Sequence, residues 1–188
     1  MSRPVAVLDA NVLYPARLRD LFLRLAIAGH FSARWTDEIL DECFTSISAD
    51  RPDLTAAQLD RTRHLMGIAV PDALVAGYER LVEQIDLPDP EDRHVLAAAI
   101  AAGADLLVTW NVGDFPEPAT AGHQLSVVNP DELLLRLLEA DADTIVAVIE
   151  EQASSLRRPP MTTEELLHGL EQIGLTAGVA AVRCRHAS

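Results

Sequence analysis

Four acids stand where one reaction could use them together: Asp9, Glu42, Asp92 and Asp114. Asp9 ends the apolar run Val5-Ala6-Val7-Leu8, and Asp114 follows the run Leu106-Leu107-Val108-Thr109-Trp110. Asp92 opens a helical pattern between Leu87 and Gly103, and Glu42 lies on the flank of another. Carboxylates gathered at one place repel, and the remedies are protonation or a divalent cation. Hard oxygen donors select Mg²⁺ or Mn²⁺ over zinc. Two such ions can clamp a phosphodiester and supply the attacking hydroxide.

The elements that must position these acids follow from the pattern. Short, nearly continuous apolar runs mark strands buried on both faces, and in open α/β sheets ligands bind beyond the carboxyl ends of strands. Asp9 and Asn111–Asp114 would share that edge. Asp89 suits a helix N-cap, Pro90 the first helical position, and Glu91 and Asp92 the positive helix end. Val95, Leu96, Ala99 and Ile100 continue at helical spacing until Gly103, bringing Asp92 to the same edge.

Leu18, Leu21, Phe22 and Leu25 form a second helical face stopped by Gly29, and Phe31–Trp35 reads as a short strand. Thr36 caps a helix whose buried face is Ile39, Leu40, Cys43, Phe44 and Ile47. Glu42 lies about 60° around the axis from Ile39 and can reach a cleft, while Asp41 reads as a solvated acid. Thr55 is a cap for a helix through Leu59, Arg63, Leu65 and Met66. A further segment from Pro71 carries Leu74, Val75, Tyr78, Leu81, Val82 and Ile85. Leu125–Val128 is the last strand, and the alternation of helices and strands predicts a parallel sheet. After Asn129 the chain reads as helical only: 131–138, 145–149, a break at Arg157-Arg158-Pro159-Pro160, then a helix capped at Thr162 and stopped by Gly174. The expected organisation is a domain over 1–130 and a helical extension over 131–188, with Cys184 in a tail.

The formal charge is −14, and the fifteen basic residues are all arginine. Such an acidic balance argues against gripping nucleic acid by broad electrostatics, but not against carboxylates that hold cations facing a phosphate. The absence of lysine excludes more. Asp9-Ala10-Asn11 after a strand would suit a haloacid-dehalogenase-type phosphatase or a response-regulator receiver, yet both need a lysine beside the phosphoryl group. There is no phosphate-binding glycine loop, no zinc spacing among the six histidines, and no nucleophile elbow. Two cysteines make no disulfide framework, the N-terminus is too weakly apolar for a signal peptide, and no run spans a membrane. The sequence therefore predicts a cytoplasmic protein with no membrane partner.

The stretches V-L-D-A-N-V-L, W-T-D-E-I-L-D-E, L-P-D-P-E-D-R-H-V-L-A-A-A and L-L-V-T-W-N-V-G-D-F-P, in order over residues 3 to 130, resemble the PIN-domain nucleases. The closest resemblance is to VapC-like toxins of bacterial toxin–antitoxin pairs that carry a C-terminal helical extension. The resemblance implies a three-layer α/β fold on a central parallel sheet and a Mg²⁺- or Mn²⁺-dependent endoribonuclease. Its partners would be RNA and a cognate antitoxin, and the family allows a homodimer. Asp9, Glu42 and Asp92 match the three core acids, with Asp9 and Asp92 the first choices as direct ligands. The fourth acid of many members follows the threonine of T-x-D, and here that position is Asn111. Asp114 matches the further acid in D-F, while Asn11 and Thr109 match polar positions behind the ligands. Arg17, Arg19 and Arg93 are candidates for RNA phosphate. The rival is a catalytically weak PIN scaffold that binds a protein.

Overall fold

Four short parallel strands, each following an apolar run, form a sheet in the order β2-β1-β3-β4. The computed structural model describes residues 3–157 and 159–186. Arg158 of the expected break and the outermost residues of both expected units lie outside these. The chain runs β1 (Val5–Leu8), α1 (Ala10–Leu13), α2 (Ala16–Ile27), β2 (Ser32–Arg34), α3 (Asp37–Asp50), α4 (Ala56–Ala69), α5 (Glu79–Val82) and α6 (Arg93–Ala101). It continues through β3 (Leu106–Val108), α7 (Glu117–Thr120), β4 (Ser126–Val128), α8 (Pro130–Ser155), α9 (Thr163–Gln172) and α10 (Thr176–His186). This is the anticipated PIN-like α/β architecture with helical layers about a parallel sheet.

The strand order fixes where a site can form. The chain steps from β1 outward to β2, then back past β1 to β3, so successive right-handed crossovers fall on opposite faces. Accordingly α2 packs with β2 and α8, whereas α6 packs on β1 and β3. The strand order reverses between β1 and β3, where α/β sheets open a crevice at their carboxyl ends. Register brings the two loops level there: Leu8 pairs with Val108. The Asp9 amide donates to the Val108 carbonyl at 3.0 Å, and the Thr109 amide to that of Val128 at 3.0 Å.

Several local expectations changed on folding. The entry to α6 is a 3-10 turn, Pro90–Asp92, capped by Asp89, whose carboxylate accepts from the Glu91 amide at 2.9 Å. The apolar set from Leu74 to Ile85 divides at Gly77 (φ +77°), a left-handed position that glycine adopts without strain. Before it, Leu74 bridges Trp35 in parallel; after it comes the single turn α5. The patterns 131–138 and 145–149 belong to one long element kinked at Asp141, whose carboxylate accepts from the Thr144 amide and restarts the helix. Cys184 lies not in a tail but on α10, whose Val179 and Val182 are fully buried.

The extension shares the core rather than trailing from it. Leu133, Leu134, Ile145, Ile149, Leu166 and Leu170 belong to the same buried cluster as Leu8, Leu21 and Leu107. The Asp131 carboxylate accepts from the amides of Ala177 (2.9 Å) and Gly178 (2.7 Å), which fastens the start of α10 to the start of α8. Among the described residues, no helix is long and apolar enough to cross a membrane.

Candidate active site

Asp9 is the most constrained carboxylate of the reversal crevice. Its backbone caps α1, and one oxygen, Oδ1, accepts from the Ala10 amide at 2.6 Å. The other, Oδ2, accepts from the Asn11 amide group and the Thr109 hydroxyl, each at 2.7 Å. Thr109 uses its full capacity, since its oxygen also accepts from Asn11 Nδ2 and from the Asn111 amide, both at 3.0 Å. Asn11 closes the circuit by accepting from the Trp110 amide at 3.1 Å. Only 5% of Asp9 is exposed. Burial raises its pKa most, the bonds from Thr109 and Ala10 counter this, and the net shift is upward.

Asp92 stands across the crevice with much less support. It occupies the N-cap position of α6 without a side-chain capping bond. Its pKa is raised to about 6 by burial and by the negative charges of Asp9, Asp89 and Asp114. The crevice is a cavity of about 540 Å³ lined by Asp9, Glu42, Asp89, Glu91 and Asp92, and by Asn111 and Tyr14 among others. None of its lining residues is basic. Asp114 is half-buried on a 3-10 turn, Val112–Asp114, and does not line the cavity; its charge nonetheless reaches Asp92.

Glu42 is held by a residue the sequence did not single out. His94, 5% exposed on the first turn of α6, places Nε2 2.9 Å from Glu42 Oε1. Its Nδ1 is buried without a hydrogen-bond partner, 3.7 Å from Glu38. Burial on its own would depress the imidazole pKa; the Glu42 bond and the charges of Glu42, Glu38 and Asp9 raise it overall. The only available signal was the placement of His94 two residues beyond Asp92, because its partner lies on α3.

The three candidate arginines divide. Arg19 turns away from the crevice: it donates to the carbonyls of Leu13 (2.6 Å) and Tyr14 (3.3 Å) and lies over the Phe44 ring. Arg93 faces Asp86 at 3.8 Å. Arg17, on the first turn of α2, is exposed and rests against Gly169 of α9. Asp41 is not simply solvated, since it pairs with Arg63, which also holds Asp37.

Among the described residues, no group of three or more His, Cys, Asp or Glu side chains is arranged to hold a metal ion. A closed protein cage of the zinc type therefore does not fit. A hard divalent cation does, because Mg²⁺ commonly takes one or two carboxylates and completes its shell with water and substrate oxygens. Asp9 and Asp92 supply such carboxylates, and burial together with the negative charges of Asp9, Asp89 and Asp114 disfavours an ionised Asp92 in a way that a cation would offset.

Among known proteins, the family described as PIN domain matches residues 5–113 of this chain. The chain belongs to the PIN-domain family. Residues 130–184 match a second family, the VapC50 C-terminal domain. A Mycobacterium tuberculosis (strain ATCC 25618 / H37Rv) protein named "Putative ribonuclease VapC50" is 35% identical over 102 residues. That stretch covers 54% of this chain and 60% of the relative, so the chain is matched to less than two thirds of that protein's length. No solved structure matches.

Proposed function

We propose that this protein is an endoribonuclease that hydrolyses RNA phosphodiester bonds with the help of Mg²⁺ or Mn²⁺, and that it is the toxin of a toxin–antitoxin pair. The observation that carries this reading is the reversal crevice: five carboxylates line it, no basic side chain does, and it lies on a PIN-domain sheet. Such a cavity repels a polyanion on its own and becomes a phosphate site only with cations in it. The ribonuclease name of the relative and the matched C-terminal domain favour the same reading. We place residues 1–130 as the nuclease domain and 131–188 as the extension. The partners are RNA and an antitoxin, the protein works in the cytoplasm, and two copies pair as a homodimer.

Asp9 and Asp92 would hold the cation, with Glu42 and Asp114 adding charge at the margin. When bound, the cation polarises the phosphate and lowers the pKa of an attacking water. The chain's own groups do the rest. Thr109 and Asn11 keep Asp9 in one rotamer by donating to it, so no reorganisation is needed when substrate arrives. His94 holds one oxygen of the half-exposed Glu42 carboxylate at the crevice wall. Asn111 offers an amide oxygen, neutral and weakly ligating, where related chains carry an acid.

The rival, a weak nuclease whose task is protein binding, draws on Asn111 and on the lack of a three-residue cage among the described residues. Incubation of purified full-length protein with total RNA in Mg²⁺, Mn²⁺ or EDTA separates the two. Discrete cation-dependent cuts lost in Asp92→Asn are expected. Intact RNA in both metals, with cation binding absent by calorimetry at millimolar Mn²⁺, would remove the nuclease reading.

A further inference from the structure

The C-terminal helices press on the rest of the fold at two glycines, and at Gly174 the backbone and a tryptophan ring leave no room for a side chain. Gly174, between α9 and α10, has φ +111°, and a Cβ there would lie 2.7 Å from the Trp110 ring. Gly169, on the buried face of α9 with Leu166 and Leu170, lies so close to the Arg17 guanidinium that a Cβ would collide with it. The side-chain amide of Gln152, on α8, donates to the Arg17 carbonyl at 3.0 Å. Gly178 of α10 is similarly tight, with its would-be Cβ 2.6 Å from Leu134 of α8. Together with the Asp131 cap, these contacts fix the Gly174 turn relative to the sheet.

Trp110 is the point at which this extension touches the chemistry. Its half-buried ring abuts Gly174, and its own backbone amide is bound by Asn11 Oδ1 at 3.1 Å. The same Asn11 donates to Asp9 Oδ2. The next residue is Asn111, which lines the crevice and whose amide is held by Thr109. A continuous line of contacts therefore runs from the α9–α10 turn through one tryptophan to the carboxylate at the end of β1.

We propose that Trp110 is a positioning residue, clamped by Gly174, through which the C-terminal helices hold the Asp9–Asn11–Thr109 network and the Asn111 arm in place. The extension is then a working wall of the nuclease site rather than an appendage. This rests on the nuclease reading for its consequence, but its geometric content is independent of it. A ring removed or displaced frees the Trp110 amide, Asn11 gains room to rotate, and Asp9 loses one of the bonds that fix its rotamer.

The test uses full-length Trp110→Ala, Trp110→Phe and Gly174→Ala, with Leu137→Ala as a control. Leu137 is buried in α8 and has no place in the network, so its truncation lowers the melting temperature without touching the crevice. Two readouts are taken: amide hydrogen exchange at residues 110 and 111, and single-substrate RNA cleavage resolved into kcat and KM. Trp110→Ala and Gly174→Ala should speed exchange and lower kcat by about tenfold or more while KM stays within about twofold, the pattern of misplaced catalytic groups. Trp110→Phe, which keeps a ring against Gly174, should recover most of the loss, and Leu137→Ala should show neither change.

Unaltered exchange at 110 and 111 in Gly174→Ala would overturn the proposal, as would equal losses of kcat in Leu137→Ala. If the wild type cleaves no RNA, the nuclease reading falls on that result and the exchange data alone decide whether Trp110 positions the network.

Discussion

Asp9 and Asp92 face one another across the crevice and are built in opposite ways. Asp9 ends a central strand, is nearly inaccessible, and has donors on both oxygens. Asp92 starts a helix, has no capping bond, and is pushed toward neutrality by burial and its acidic neighbours. One carboxylate is preformed by the fold, and the other is left with unrelieved charge. A site of this kind gains rigidity from its strand side and keeps its drive to bind a cation on its helix side.

The contrast breaks most severely at Asp9. Asp9→Ala should abolish cleavage and also destabilise the fold by roughly 1–3 kcal/mol, because the Ala10 amide, the Asn11 amide and the Thr109 hydroxyl lose a shared acceptor. Urea unfolding at neutral pH together with an RNA cleavage assay measures both losses. A stable Asp9→Ala protein would show that the network is not organised around this carboxylate.

At Asp92 the two effects should separate. Asp92→Asn removes charge without leaving donors unpaired, so turnover should fall by about a hundredfold while stability in EDTA holds or rises, the usual trade between activity and stability at a site. Asp114→Asn should follow in turnover with a smaller stability gain, since it contributes least among the three negative charges acting on Asp92. Wild-type rates from folded Asp114→Asn would leave Asn111 as the group to examine.

The pH dependence sharpens the same point. An acid whose folded pKa lies above its ordinary value of 3.8 favours the fold when protonated. The contribution of Asp92 to stability is therefore complete below about pH 4 and is lost as pH rises through about 6. Asp9 and His94 are also shifted upward and act in the same sense, each through its own range. In EDTA the melting temperature of wild type relative to Asp92→Asn should fall between pH 4 and pH 6.5. Equal profiles for the two proteins would mean that Asp92 carries no excess charge in the fold.

Asp41→Asn gives the smallest effect. It lies on α3 beside Glu42 in sequence, yet its partner is Arg63, which keeps Asp37. An exposed pair of this kind is worth about 0–1 kcal/mol. Cleavage should stay at wild-type rates, with thermal unfolding shifted only slightly; a large loss of turnover would extend the site beyond Glu42.

Much of this architecture is legible along the chain because the signals are local. The apolar run before Asp9, Asp89 before Pro90, and Thr162 before Glu165 each act within one turn or strand, and each element formed where its pattern stood. Arg19 shows the limit. Its spacing placed it near the edge, but the carbonyls of Leu13 and Tyr14 and the Phe44 ring drew it inward. His94 was passed over for the converse reason, since a lone histidine announces nothing until a carboxylate from another helix meets it. Trp110 reads as the end of a buried strand, and only the fold sets the turn at Gly174 against its ring.

The sequence by itself determined the α/β alternation, the strand ends that carry Asp9 and Thr109, the helix starts, and the acidic charge of the chain. These depend on period, capping and composition, which are properties of neighbouring residues. The tertiary structure alone decided that Asp9 is locked while Asp92 is not, that Glu42 rests on His94, and that the last two helices close on Trp110. Those outcomes depend on which side chains meet across the sheet reversal, and the meeting is set by register, crossover hand and packing of segments distant in the chain.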